Sequence, residues 1–207
     1  MQYRQHTVQC VSPSGLHRMA YVEWGARDNP RVLVCVHGLT RNGRDFDALA
    51  QALAAHYRVV CPDVVGRGQS SRLRDPSAYG IPQYLADMVT LIARLNVDSV
   101  DWVGTSMGGL IGMALASQQG TPIRKLMLND VGPVITTQSL ERIATYVGAD
   151  PTWATFDEAL AYIKVISAPF GQLDDAQWQH LTEHSIGQRP DRRWGFLYDP
   201  LIAAPFK

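Results

Sequence analysis

Little in this 207-residue chain leans to one sign of charge: 19 basic and 19 acidic residues cancel to a formal net charge of zero and lie scattered along the sequence. That balance excludes the electrostatic footprint of a nucleic-acid binder or of a protein held on an anionic membrane. Long hydrophobic runs are missing too. No window approaches the roughly 18 apolar residues of a membrane span, and the polar start from Met1 to Cys10 has no stretch like a secretory signal core. The expected compartment is the cytoplasm, and the expected partner is a small, neutral or modestly polar substrate. Cysteine is scarce: Cys10, Cys35 and Cys61 are an odd set without metal-ligand spacing, two of them inside apolar, strand-like runs. They read as reduced packing residues. Repeats and low-complexity tracts are absent, and a composition 46% hydrophobic and 18% charged leaves little room for extended disorder.

What is present alternates. Apolar runs rich in β-branched residues are separated by helical periodicities, the pattern of a mostly parallel sheet with helices on both faces, hence an α/β fold. Residues 17–24 read as an outer strand and Val32 to Val36 as a fully buried one. From Asn42 to Ala55, Phe46, Leu49, Ala50 and Leu53 share a helical face. Arg58 to Cys61 is a short strand, and the Gly-, Ser- and Pro-rich segment from Pro62 to Gly80 is loop. A helix opens near Pro82 and runs to Asn96 with Leu85, Met88, Ile92 and Leu95 inward. Val97 to Val103 is the next strand, Gly108 to Gln118 a helix, and Ile123 to Asn129 a strand. After Gly132-Pro133 the alternation stops, and residues 138–190 read as short helices without buried strands. Residues 1–132 are thus expected to form the sheet core with about six strands, 133–200 a helical lid, and 201–207 the start of a return to the core.

The strand Val100 to Val103 runs into Gly104-Thr105-Ser106-Met107-Gly108, a G-x-S-x-G turn followed by a small-residue helix. By composition alone that pattern recurs in roughly one chain of this length in fifteen, so the strand–turn–helix setting is what carries it. A serine held there projects its Oγ from the carboxyl edge of the sheet, beside a helix N-terminus whose free N–H groups favour negative charge. Two further motifs stand upstream in order: His37-Gly38-Leu39 directly after the buried strand, and Asp63-Val64-Val65-Gly66-Arg67-Gly68-Gln69-Ser70, a D-x-x-G-x-G-x-S turn, after the next.

With these three motifs in this order the sequence resembles the α/β-hydrolase superfamily, and within it the serine esterases. The resemblance implies Ser106 as nucleophile and the backbone N–H groups of Leu39 and Met107 as the oxyanion hole. It implies no cofactor and no metal, and a structural rather than catalytic role for His37. In this superfamily the acid and the histidine follow the serine along the chain. Here only His180 and His184 come after Ser106, both in the expected lid, while Asp130, after the strand Ile123 to Asn129, is a candidate acid or a turn-shaping residue. The expected fold is therefore C-terminally incomplete, with a complementing segment or second chain supplying the missing strands and the histidine. On its own the chain should be nearly inactive and should expose a sheet edge.

Other readings stay open. His180-Leu181-Thr182-Glu183-His184 matches the H-x-x-E-H pattern of zinc peptidases, although the sequence positions no third ligand. Serine rather than aspartate at the elbow argues against dehalogenases and epoxide hydrolases. A C–C bond hydrolase of the meta-cleavage-product type is an alternative to an esterase, and a non-catalytic ligand-binding protein on the same scaffold is an alternative of another class. Arg41 reads either as a contact for an acidic or carbonyl group at the site mouth or as a solvated arginine at a helix entry.

Overall fold

In a computed structural model, which describes residues 2–206 apart from the side chains of Arg142 and Phe206, six strands form one sheet: β1 (Arg4–Ser12), β2 (Gly15–Trp24), β3 (Val32–Val36), β4 (Arg58–Pro62), β5 (Val100–Thr105) and β6 (Ile123–Asn129). Their spatial order is β1-β2-β4-β3-β5-β6. The pairs β3 with β4, β3 with β5 and β5 with β6 are parallel, and β1 and β2 add an antiparallel hairpin against β4. Helices α1 (Asp47–Leu53), α2 (Ile81–Leu95) and α3 (Met107–Ala116) make the crossovers.

The period of two along β3 divides its side chains between two apolar layers. Val32, Val34 and Val36 enter a core with Trp102, Met88, Leu91 and Ile111, whereas Leu33 and Cys35 face Phe46, Ala50, Val59 and Cys61. Burying each such side chain is worth roughly 1.5–3 kcal/mol. All three cysteines are free and buried in these layers, as packing residues should be. α1 is shorter than its periodicity implied, because the segment opens with a 3-10 turn at Gly43–Phe46, and Leu49 lies 39% exposed rather than on the buried face. β5 begins at Val100 instead of Val97.

Two differences from the sequence reading concern strands. β1 was not anticipated, because every second residue of its polar sequence faces solvent; only Val8, Cys10 and Ser12 are buried. The lid is not purely helical. Alongside α4 (Thr137–Ala144), α5 (Phe156–Ile166) and α6 (Asp175–Ser185) it holds β7 (Thr152–Trp153), β8 (Ile186–Gln188) and β9 (Trp194–Phe196), an antiparallel sheet in the order β7-β9-β8. Trp153, Ala159, Ile163 and Ile186 form its small core. The chain then returns to the sheet: Gly68 N–H donates to Leu197 C=O at 2.7 Å, Asp199 N–H to Gly66 C=O at 2.7 Å, and Ile202 joins the main core.

β6 departs from the expectation for a strand of a parallel sheet. Such strands are normally covered on both faces, yet Met127 is 63% and Leu128 37% exposed. Among the described residues no strand pairs with its outer edge. No described helix is long and apolar enough to cross a membrane.

A charge cluster fastens the hairpin. Glu23, 1% exposed, takes Arg4 at 2.8 Å on one carboxylate oxygen and Arg58 of β4 at 2.7 Å on the other. Burial alone would raise its pKa, but the two guanidiniums outweigh it and hold the carboxyl below the ordinary 4.5. The stability it contributes is therefore present above that pH and lost as the pH falls through the lowered value. Glu23→Ala is expected to cost about 2–3 kcal/mol in urea unfolding near neutral pH, less than a fully enclosed pair because Arg4 can turn to water. The deficit relative to wild type should shrink below pH 4.5.

Candidate active site

Parallel pairing of β3 with both β4 and β5 reverses the direction in which the sheet is built, and in open α/β sheets such a point leaves a crevice at the carboxyl ends of the strands. Val36 lies opposite Gly104 in that register, so the residues after β3 and after β5 emerge side by side. Ser106 is at the tip, with φ 49° and ψ −113°, a conformation that costs about 1–3 kcal/mol for a residue with a Cβ. The surroundings hold it there. Its N–H donates to Asn129 C=O at 2.9 Å, and its own C=O accepts from Gly109 and Leu110 N–H at 2.9 and 3.1 Å. A Cβ on Gly104 would fall 2.3 Å from Gly108 C=O, and one on Gly108 would fall 2.0 Å from Val36 C=O. The two glycines of the motif are thus required by the approach of α3 to the ends of β3 and β5.

Facing Ser106 is the loop after β3. The Cβ position of Gly38 is 3.8 Å from Ser106 Cβ. Leu39 follows, half-buried, and Met107 is the first residue of α3, where intrahelical partners for N–H groups are lacking. Among the described residues neither Leu39 nor Met107 N–H donates a backbone hydrogen bond.

His37 is wholly buried and fully engaged: its Nδ1 bonds Gly38 C=O at 2.7 Å, and its Nε2 accepts Val64 N–H at 2.9 Å. That pair fixes the neutral tautomer protonated at Nδ1. Burial pushes its pKa down to about 4, and the nearby Arg67 charge adds to the effect against the Gly38 bond. It braces the loop and has no nitrogen to spare for Ser106.

The D-x-x-G-x-G-x-S segment braces the same loop. Asp63 takes Gly43 N–H and Gln69 N–H on separate oxygens, each at 2.8 Å, and burial lifts its pKa to about 6 despite these donors. Arg67, which was not singled out from sequence, is 1% exposed. Its Nε donates to Leu39 C=O at 2.8 Å, its Nη1 to Val65 C=O at 2.8 Å and Tyr84 Oη at 2.9 Å, and its Nη2 meets Met107 Sδ at 3.6 Å. One guanidinium thus touches both Leu39 and Met107.

The remaining candidates lie elsewhere. Among the described residues no histidine hydrogen-bonds Ser106 Oγ. His180 and His184 sit on α6 beside Asp47 of α1, with His180 Nε2 3.3 Å from Asp47 Oδ2 and the two rings 4.4 Å apart. Burial, together with Arg44 and His180, lowers the His184 pKa to about 4. Asp47, 133 positions before His180 in the chain, places a carboxylate beside the two histidines that the H-x-x-E-H pattern in the sequence does not contain. Asp130 is exposed, at φ 55°, next to the Asn129 that receives the Ser106 N–H. Arg41 is neither solvated nor free. It grips Asp45 with two nitrogens at 2.6 and 2.9 Å and donates to Ser185 Oγ of the lid at 2.8 Å. A cleft of about 770 Å³ opens between the hairpin and the lid, lined by His6, Arg18, Arg44, Asp63, Glu183 and His184 among others, and Ser106 does not line it.

Comparison with known proteins agrees with this fold. The family model for the alpha/beta hydrolase fold matches residues 31–160. A 3-hydroxybutyrate-oligomer hydrolase of Cupriavidus necator is 57% identical over 203 residues, covering 97% of this chain and 69% of that protein. The magnesium-chelatase 30 kDa subunit of Rhodobacter capsulatus is 33% identical over 116 residues, 54% of this chain and 40% of its own length. Among solved structures, one from Rickettsia typhi superposes with a TM-score of 0.92 at 33% identity, over 99% of this chain and 74% of that one. An alpha/beta hydrolase from Novosphingobium aromaticivorans gives 0.86 at 36% identity, over 99% and 71%.

The bracing role of His37 is open to a direct measurement. In a histidine-selective NMR titration its ring is expected to keep the Nδ1–H tautomer and to titrate near 4, far below the ordinary 6.5. A midpoint near 6.5 would show a ring exposed to solvent and contradict the assignment.

Proposed function

Because the chain belongs to the α/β-hydrolase fold family and is by class a hydrolase, we propose that it cleaves small carboxylic esters through an acyl-enzyme on Ser106. The supporting observation is the serine at φ 49° on a strand-to-helix turn with the Gly38-Leu39 loop against it. In this reading Ser106 Oγ attacks the ester carbonyl, and its proton passes by way of a base to the departing alcohol. Leu39 and Met107 N–H groups receive the oxyanion, and water then releases the acid and regenerates the serine. Each oxyanion donor is worth roughly 10²–10³ in rate, because it is positioned before charge develops. The proposed substrate class is an ester-linked oligomer of a short hydroxy acid, on the strength of the 57% identity to a 3-hydroxybutyrate-oligomer hydrolase.

The base is the part for which no described histidine serves. We assign it to a segment that packs on the open β6 edge, either further along a longer chain or on a second chain. The exposed Met127 and Leu128 and the unpaired outer edge of β6 support that reading, as does the 69% of the Cupriavidus protein that this chain spans. Without that segment Ser106 stays a protonated alcohol, and only the residual 10³–10⁴ or so over water remains. A monomer of 22.9 kDa with full turnover of a p-nitrophenyl ester would overturn the assignment.

In the complemented protein, release of monomer from 3-hydroxybutyrate dimers and trimers, followed by chromatography, is the expected activity. Ser106→Ala should lower it by roughly 10³-fold or more and abolish labelling by a fluorophosphonate probe. Undiminished turnover by that variant removes Ser106 from the reaction. Turnover of p-nitrophenyl esters without oligomer cleavage would keep the serine and reassign the substrate.

Arg67 offers a second test. Lysine is a point donor and does not reach Leu39 C=O, Val65 C=O, Tyr84 Oη and Met107 Sδ together. Arg67→Lys is expected to lower kcat by about 10-fold or more with KM little changed, because the Leu39 loop loses its anchor while the binding surface remains. A rise in KM at constant kcat would place Arg67 in substrate binding instead.

A further inference from the structure

We propose that His180, His184 and Asp47 form a zinc-class divalent metal site that clamps the lid helix α6 to α1 of the core. The two histidines stand one helical turn apart on the same face of α6, and the ligating atoms of all three residues lie within 4.8 Å of one another. A tetrahedral zinc ion bound at about 2.1 Å holds its ligand atoms roughly 3.3–3.5 Å apart. His180 Nε2 and Asp47 Oδ2 are already 3.3 Å apart; without an ion Nε2 also lies 3.3 Å from Arg44 C=O, a hydrogen bond that coordination replaces. Two imidazoles and a carboxylate are a donor set suited to zinc, nickel or copper and poorly suited to magnesium or calcium.

The carboxylate comes oriented. Arg44 holds Asp47 through Nε at 2.8 and 2.9 Å and through Nη2 at 2.5 Å, and is itself fixed by Tyr3, whose hydroxyl lies 3.1 Å from Nη1. A hydrogen-bonded ligand carboxylate is the usual second layer of a metal site. Here that layer is cationic, so it weakens affinity while it fixes geometry. Nη2 at 2.5 Å and Nε at 2.8 Å both fall on Oδ2, and only Nε at 2.9 Å reaches Oδ1, so an ion that takes Oδ2 must displace the guanidinium toward Oδ1. The fourth position falls to water on the side of the 770 Å³ cleft, which His184 and Glu183 both line. Glu183 accepts from Gln179 Nε2 at 2.9 Å within α6, and the role proposed for the site is that of a clamp.

The clamp reinforces a seam that the protein already builds. Asn42 Nδ2 donates to His184 C=O at 2.5 Å, and Arg41 reaches Ser185 Oγ at 2.8 Å, both from the loop that follows Leu39. An ion across α6 and α1 would tie the lid to the helix into which that loop leads. A different cluster, Cys10, His17 and Asp87, is entirely buried, with His17 bonded to Asp87 at 3.0 Å. It serves as the rival in the test.

Calorimetric titration of the EDTA-treated full chain with zinc chloride is expected to give one saturable site per chain. His184→Ala and His180→Ala should each weaken it by roughly 10- to 100-fold or more, while His17→Ala leaves it unchanged. Zinc should also raise the melting temperature of wild type and not of His180→Ala. Cobalt(II) should give the visible spectrum of a four-coordinate N/O site that is lost in His184→Ala. Absence of saturable binding by the wild-type chain overturns the proposal. So does binding that survives both lid substitutions or vanishes with His17→Ala.

Discussion

The register of β3 against β5 is the constraint on which the rest of the site depends. Val36 opposite Gly104 sets two strand ends at the same height, and everything chemically interesting grows from those two ends. The contact is so close that no side chain fits within it. Gly104 and Gly108 are packed against backbone carbonyls, and α3 therefore starts directly on the end of β3. With α3 pinned, Ser106 cannot relax to an ordinary conformation, since its N–H is held by Asn129 and its C=O by the first turn of the helix. The strain is local, and the parallel pairing on both sides of β5 is what sustains it.

A second layer of interactions stands behind the facing loop, and it is almost entirely polar. His37, Asp63 and Arg67 are buried, and each spends most of its hydrogen-bonding capacity on backbone groups of the loops and turns around the site. Loops lack the internal ladder that satisfies helices and strands, so buried loop backbone must find side-chain partners. Arg67 is the extreme case. A guanidinium away from water is costly unless fully bonded, and among the described residues it has no ion pair. Two carbonyls, the Tyr84 hydroxyl and the rings of Tyr79 and Tyr84, 5.8 and 5.1 Å from its Cζ, take the place of a carboxylate. Asp199 is linked only indirectly, through its 2.7 Å bond from Tyr79 Oη, which connects the returning chain to this layer.

What was legible in the sequence follows from how local its cause is. β3 and the G-x-S-x-G turn were readable because their requirements lie within a few residues: unbroken burial for a central strand, glycines beside a sharp turn. β1 was not, since its inward set is only Val8, Cys10 and the polar Ser12, and it becomes a strand by pairing with β2 from Arg4↔Glu23 to Ser12↔Gly15. The lid strands are two or three residues long, too short for a period of two to register. Arg67 escaped because arginine is ordinarily a surface residue, and the partners that make its burial tolerable include Leu39, Tyr84 and Met107, distant in sequence. Asp47 escaped as a companion of His180 for the same reason.

The lid and the site loop are also coupled through hydrogen bonds in this geometry. α6 ends at Ser185, and its last turn meets the core by way of Arg41 and Asn42, which belong to the turn opened by Gly38, where Arg41 N–H donates to Gly38 C=O at 3.2 Å. Leu39 is therefore held from two directions: by Arg67 beneath, and by a turn whose outer residues are anchored in the lid. A displacement of α6 pulls on Arg41 and Asn42 first. Arg67 resists it, because its planar fork already has fixed partners on three other segments. The Leu39 loop beside Ser106 is thus fixed from two sides, by the contacts of Arg41 and Asn42 with the lid and by the buried Arg67.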